Sequence, residues 1–293
     1  MTVAQGSSPG RLEAALRAGR AAGRKLLVPY LTGGLDVAAG SGSAGSGSGS
    51  PAAGSGAGSP GAGGSRWLEV LAAVAASGAD AVEVGIPFSD PVMDGPVIQA
   101  ASAAALASGA TPTSVLAGLA RAEVGIPLAV MTYYNLVARG GHLRTASRLA
   151  EAGVAGAILP DLPLDEAGDW LQVAAGAGVE TVLLAAPTTP DDRLARIAGS
   201  SRGFLYAVGL LGVTGERAQL AESAMVLAAR CKAVTDLPVL VGVGISTPEQ
   251  AAKVCTVADG VVIGSALVRR VLEGATPEQA GDLVAEFRAA LDG

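Results

Sequence analysis

The sequence predicts an α/β fold, a closed barrel of eight parallel strands with helices between them, on three observations. Eight short apolar runs recur: Leu26–Leu31, Ala81–Ile86, Leu128–Tyr133, Gly156–Leu159, Thr181–Ala185, Gly203–Val208, Val239–Val243 and Gly260–Ile263. They are mainly continuous rather than alternating, as strands of a parallel sheet buried on both faces are. Segments of helical length and pattern separate them. Several are also entered by similar turns: Ser77-Gly-Ala-Asp80, Glu151-Ala-Gly-Val154, Gly176-Ala-Gly-Val179 and Val257-Ala-Asp-Gly260. Each reads as a helix end with a glycine just past the C-cap, feeding a strand. Alternating units in this number close into a (β/α)8 TIM barrel, and a doubly wound open sheet is the competing topology.

The elements follow in order. The N-terminal segment carries Arg11, Arg17, Arg20, Arg24 and Lys25 without a hydrophobic stretch. It reads as a basic amphipathic helix over the barrel floor rather than a secretory signal. After the first strand, Ala38–Ser65 contains only Gly, Ser, Ala and Pro. Such a run has no apolar surface to bury and is expected to be flexible coil. The strand before it is too short to fold alone, so the run is an insertion within one domain spanning 1–293. A helix over Trp67–Ala76 follows. The second βα unit carries an extra helix, because Pro96–Ser108 and Thr111–Val124 are both helical in pattern.

Composition excludes several function classes. Half the residues are apolar and the formal net charge is −6, so no electrostatic footprint for nucleic acid exists. The cysteines, Cys231 and Cys255, and the lone His142 form no metal-binding spacing. The cysteines read as small core residues. No apolar run reaches the roughly 18 residues of a membrane span. A cytoplasmic protein is expected.

Chemistry concentrates at the second strand. Glu83 lies between Val82 and Val84, near the C-terminal end of a barrel strand, where enzymes of this architecture keep their active sites. Poor solvation there raises a carboxyl's pKa and suits it to proton transfer near neutrality. The alternative is a structural carboxylate paired inside the barrel. Asp90 and Asp94 follow in Ser89-Asp-Pro-Val-Met-Asp-Gly-Pro96, where Asp-Pro and Asp-Gly also suit a purely structural turn. Glycine turns follow three late strands: Gly212-Val-Thr-Gly215, Gly242-Val-Gly-Ile-Ser246, and Gly264-Ser265 opening a helix over Ala266–Leu272. Backbone N–H groups of small residues and a helix N-terminus suit a phosphate. His142, in Arg139-Gly-Gly-His142, reads as part of a polar loop without an acid partner and receives no catalytic role. Asn135 ends the third strand and Asp161 the fourth, both at the rim.

These residues resemble one family, the tryptophan synthase alpha chains. The resemblance rests on Val28-Pro-Tyr-Leu-Thr32, Glu83-Val-Gly-Ile-Pro-Phe-Ser-Asp-Pro-Val-Met-Asp-Gly-Pro96, Tyr134-Asn-Leu-Val137 and Pro160-Asp-Leu-Pro163. It continues through Gly212-Val-Thr-Gly215, Gly242-Val-Gly-Ile-Ser246 and Gly264-Ser-Ala266. It implies retro-aldol cleavage of indole-3-glycerol phosphate to indole and glyceraldehyde 3-phosphate. By that resemblance Glu83 is the general acid/base, and Asp94 accepts the indole N–H. Tyr206 stands beside the substrate, while Tyr30, Met131, Tyr133 and Ile158 line the indole pocket. Gly215, Gly244, Gly264 and Ser265 hold the phosphate. Asp90, Asn135 and Asp161 face a partner, the beta chain, in an alpha2-beta2 heterotetramer. The resemblance implies no metal or organic cofactor in this chain, with pyridoxal phosphate in the beta chain.

Two departures from the family pattern stand out. The insertion replaces a short turn after the first strand, and Val208-Gly-Leu-Leu211 stands where relatives carry a polar pair. Two other readings remain at this point. One is a silent subunit that only activates a partner, which has no need of Glu83, Asp94 and Tyr206 together. The other is a different phosphate-binding barrel, such as a sugar-phosphate isomerase, which the Glu83–Pro96 stretch opposes.

Overall fold

The computed structural model describes residues 8–37, 65–209, 217–242 and 244–293. Eight strands run in parallel: β1 (Leu26–Thr32), β2 (Val82–Gly85), β3 (Leu128–Met131), β4 (Gly156–Ile158), β5 (Glu180–Ala185), β6 (Leu205–Ala207), β7 (Val239–Val241) and β8 (Gly260–Ile263). Neighbours in sequence pair with each other, and β8 pairs back onto β1 to close the barrel. The expected fold class is therefore the observed one.

Between and around the strands lie α1 (Arg11–Ala21), α2 (Arg66–Ala76), α3 (Pro96–Ala107), α4 (Pro112–Leu119), α5 (Tyr134–Gly140), α6 (His142–Glu151), α7 (Gly168–Gly176), α8 (Asp191–Ser200), α9 (Arg217–Lys232), α10 (Pro248–Val254), α11 (Ser265–Leu272) and α12 (Pro277–Asp292). Sequence explains their edges. Pro opens α3, α4, α10 and α12, where its fixed φ costs nothing. Thr111, Thr247 and Thr276 close capping boxes with Ser114, Gln250 and Gln279. Gly78, Gly153 and Gly178 take positive φ after α2, α6 and α7, as the turn pattern requires. Gly260 does not. It lies inside β8, where a Cβ would collide with the Leu26 carbonyl, so this glycine serves close strand approach.

The barrel floor is closed by α1. Leu12 and Glu13 donate their N–H groups to the Glu180 carboxylate at 2.7 and 2.9 Å, anchoring the helix start to β5. Leu12 fills the space left by Gly156 and Gly203, which side chains there would occupy. On the outside, α2 buries Trp67, Val70, Leu71 and Val74 on one stripe and packs against α12. Cys231 and Cys255 are buried free thiols, as expected of core residues.

Three details differ from expectation. The third strand stops at Met131, because Tyr133 turns away to cap α5, so Asn135 lies in the first turn of α5 and not at a strand end. His142 is not in a loop. It opens α6 after Gly141, which turns at φ +79°. Its Nε2 lies 3.0 Å from the Tyr134 hydroxyl, and its ring meets Trp170 edge-on. Ser65 belongs to the N-terminus of α2, while the rest of the Gly/Ser/Ala/Pro run lies outside the described residues. The Asp36 carboxylate accepts Ser65 Oγ–H at 2.8 Å and Trp67 N–H at 2.9 Å, tying the end of the β1 loop to the start of α2.

Candidate active site

Four acids near strand ends divide into two kinds. At the floor, Asp80 accepts Leu27 N–H at 2.8 Å, Asp259 accepts Val239 N–H at 2.9 Å, and Glu180 caps α1. These carboxylates hold backbone in place. Glu83, on β2, is different. It is fully buried, and neither carboxyl oxygen has a well-formed hydrogen bond among the described residues. Burial pushes its pKa up to about 8; the nearby Tyr206 hydroxyl opposes the shift and the charge of Asp94 adds to it. Near neutral pH such a carboxyl carries its proton. A structural acid has partners, whereas an acid kept dry and unpaired at a cavity wall is poised for proton transfer.

The cavity measures about 460 Å³, the size of a small-molecule site. Glu83 and Asp94 line it, with Tyr30, Met131 and Tyr206. Gly244, Gly264 and Ser265 line the same cavity. Asp94 is half-buried, and its pKa is raised by burial, with the Tyr133 hydroxyl acting to lower it. Tyr133 is fixed in turn: its hydroxyl oxygen accepts Met93 N–H at 2.9 Å and its ring stacks on Phe88 at 4.9 Å. Tyr133 therefore supports the Asp94 loop. Ile158 is fully buried within β4, in register with Val182 and with Met131, which lines the cavity.

The glycine turn after β7 meets the Tyr206 ring at Gly242, and the start of α11 lies against Tyr30. Gly244 takes φ +76°. Gly264 stands at the N-cap of α11 and provides no side-chain cap, so the first N–H groups of that helix face the cavity mouth uncapped. That arrangement suits an anion. Gly215 lies outside the described residues. Asp90, Asn135 and Asp161 are all exposed on loops or helix starts beyond the strand ends. Asp161 accepts Tyr134 N–H at 2.8 Å, and Asp90 accepts Ser89 Oγ–H at 2.6 Å.

Sequence reasoning missed two kinds of residue here. Ile98, Leu184, Ala186 and Val262 complete the apolar wall. They look like ordinary core residues in the sequence. The second kind is the glycine seat. A Cβ on Gly85 would strike the Tyr30 hydroxyl, and one on Gly242 would strike the Tyr206 ring. The signal for Gly85 was its position two residues after Glu83, on the same face of the strand.

Comparisons with known proteins show the family. The family model for the tryptophan synthase alpha chain matches residues 56–291. The chain belongs to the tryptophan synthase alpha chain family. An alpha chain from Prochlorococcus marinus is 48% identical over 228 residues, covering 76% of this chain and 83% of the relative. One from Streptomyces avermitilis is 43% identical over 268 residues, covering 91% and 87%. Among solved structures, Mycobacterium tuberculosis tryptophan synthase superposes with a TM-score of 0.80 at 36% identity, covering 97% of this chain and 99% of that one. The alpha chain from Legionella pneumophila gives 0.80 at 31% identity, covering 97% and 98%. The activity is that of a carbon–carbon lyase, cleaving indole-3-glycerol phosphate to indole and glyceraldehyde 3-phosphate. The partner is the beta chain, which carries the pyridoxal phosphate.

One prediction follows from the glycine seats of this alpha chain. Gly242→Ala displaces the Tyr206 ring from its place beside Glu83. Small misplacements at a reacting centre are costly, so indole formation is expected to fall about tenfold or more. Steady-state kinetics at matched circular dichroism checks it; an unchanged rate would show that the Tyr206 position is not needed.

Proposed function

We propose that Glu83 carries the proton in the lyase reaction and Asp94 takes the indole N–H. The carrying observation is the unpaired, fully buried Glu83 carboxyl on the cavity wall. Protonated near neutral pH, it donates to the ring carbon that bears the glycerol chain. Positive charge then spreads to the indole nitrogen, where the Asp94 carboxylate accepts the N–H and stabilises it. The ionised Glu83 next takes the proton of the hydroxyl on the adjacent chain carbon. The carbon–carbon bond breaks, its electrons return to the ring, and the chain leaves as an aldehyde. One proton has left Glu83 and one has returned.

The phosphate is held by the turns at Gly244 and Gly264–Ser265, with backbone N–H groups and the α11 dipole in place of basic side chains. Tyr30, Met131 and Tyr206 bound the indole. Asp90, Asn135 and Asp161 meet the beta chain in an alpha2-beta2 heterotetramer, since all three are exposed at the rim that holds the cavity mouth. The described barrel works as a single domain. No helix among the described residues is long and apolar enough to cross a membrane, which fits a cytoplasmic enzyme.

The test is indole production from indole-3-glycerol phosphate, by the chain alone and then with a beta chain. Indole that rises on adding the partner is the expected outcome. No indole in either condition would favour a silent activating subunit.

A further inference from the structure

The inner wall beside Glu83 holds a second hydroxyl that the proton-transfer scheme above leaves unused. Tyr30 on β1 is the register partner of Glu83 on β2, and Thr32 is the register partner of Gly85. Alternate residues of a strand share a face, so Tyr30, Thr32, Glu83 and Gly85 all point into the barrel. The Tyr30 ring runs diagonally along this wall. Its hydroxyl sits over Gly85, in space that any side chain there would take. The hydroxyl is thereby placed on the face that also carries Glu83 and Thr32. Thr32 is buried, its Oγ1 makes no well-formed hydrogen bond among the described residues, and Tyr30 is the phenol it interacts with.

We propose that Tyr30 is a positioning residue: its hydroxyl donates to the Glu83 carboxylate whenever that carboxyl gives up its proton, and turns to Thr32 Oγ1 when the proton returns. The inference rests on the reading of Glu83 as the proton carrier. The chemistry requires such a donor. A carboxylate left bare in a dry cavity is costly, and a charge-assisted hydrogen bond offsets that cost at the moment the charge forms. No proton leaves Tyr30 in the step. Burial, then the charges of Asp94 and Glu83, raise its pKa far above the ordinary phenol value, so it remains a donor throughout. The groups facing Glu83 are Tyr30 from β1, Asp94 from the loop after β2, and Tyr206 from β6; Tyr133 acts on them through Asp94 and Tyr30. Tyr206 approaches from across the barrel, and its hydroxyl lies near the carboxyl without a well-formed hydrogen bond. Tyr30 differs in having an alternative acceptor, Thr32, on its own strand.

Tyr30→Phe keeps the ring and removes only the hydroxyl. The experiment is an infrared pH titration of the buried carboxyl, with Glu83→Gln used to identify its band. The midpoint in Tyr30→Phe is expected about 1 on the pH scale above that of the original chain, the size of a hydrogen bond to a charged group. Thr32→Val removes the competing acceptor and is expected to move the midpoint the other way. The pH dependence of turnover in the complex with a beta chain should follow both changes. A midpoint unmoved by Tyr30→Phe overturns the proposal, even if turnover falls, because Tyr30 would then only fill the indole pocket. A Glu83→Gln enzyme that stays active would instead overturn the role of Glu83, while the titration still decides the hydrogen bond.

Discussion

Glu83→Gln is expected to lower indole formation by ~10² or more and to raise the stability of the chain at alkaline pH. The first effect is the loss of a general acid/base, which contributes ~10² to 10⁴ to a rate. The amide keeps the size and position of the carboxyl, so substrate binding should largely persist and the loss should fall on kcat. A variant with more than about a tenth of the original rate would remove Glu83 from the mechanism. The second effect follows from the pKa of about 8, raised from 4.5 by burial. Between those values the folded chain holds a proton that the unfolded chain has released. Stability therefore falls as pH rises through that window, and it is fully retained only below it. The total is on the order of a few kcal/mol, since a tenfold difference in proton affinity between the folded and unfolded chain is worth about 1.4 kcal/mol. Glu83→Gln cannot ionise and escapes this loss. Asp94, Asp80 and Glu180 also have raised pKa values, but both proteins share them. Urea unfolding of the two proteins at pH 5, 7 and 9 isolates the difference. The gap should widen in favour of the variant as pH rises; a constant gap would mean that Glu83 is solvated or paired in the folded chain. Activity and stability oppose each other at this one side chain, as they commonly do where a site needs a strained or dry group.

Much of this was legible in the sequence, for reasons that differ by residue. The eight strands showed because parallel strands buried on both faces must be apolar throughout, and Val82, Val84, Val239 and Val241 satisfy that. Glu83 stood out against the same background. Strand ends were less visible. Tyr133 reads as strand by composition, yet its backbone caps α5 and its hydroxyl oxygen bonds Met93 N–H. For Tyr133 and Ile158, sequence position cannot distinguish a side chain that lines a pocket from one that supports the lining. The glycine seat at Gly242 was hidden for another reason. A missing Cβ gives no pattern until the aromatic ring that uses the space is placed.

Ser265→Asp is expected to weaken substrate binding by roughly ten- to a hundredfold while leaving the chain at least as stable. Ser265 is the first residue of α11, exposed, and Gly264 before it offers no side-chain cap. The uncapped N–H groups are then free for a phosphate. A carboxylate at this position does two things. It competes for those N–H groups, and it repels the dianion from a few ångströms away. Two unit charges at about 4 Å interact by ~1 kcal/mol in water and ~4 kcal/mol near a protein surface, and tenfold in affinity is ~1.4 kcal/mol. At the same time an acid in the first turn of a helix is favourable, by about 0.3 to 1 kcal/mol. The two consequences have opposite signs, which is what makes the variant informative. A general disruption of the barrel would lower stability and binding together. Occupation of an anion site lowers binding alone. The measurement is KM for indole-3-glycerol phosphate beside a thermal unfolding curve, each repeated with inorganic phosphate present. Phosphate should inhibit and stabilise the original chain more than the variant. An unchanged KM would place the phosphate away from α11, and the glycine turn at Gly244 would then have to hold it without the helix.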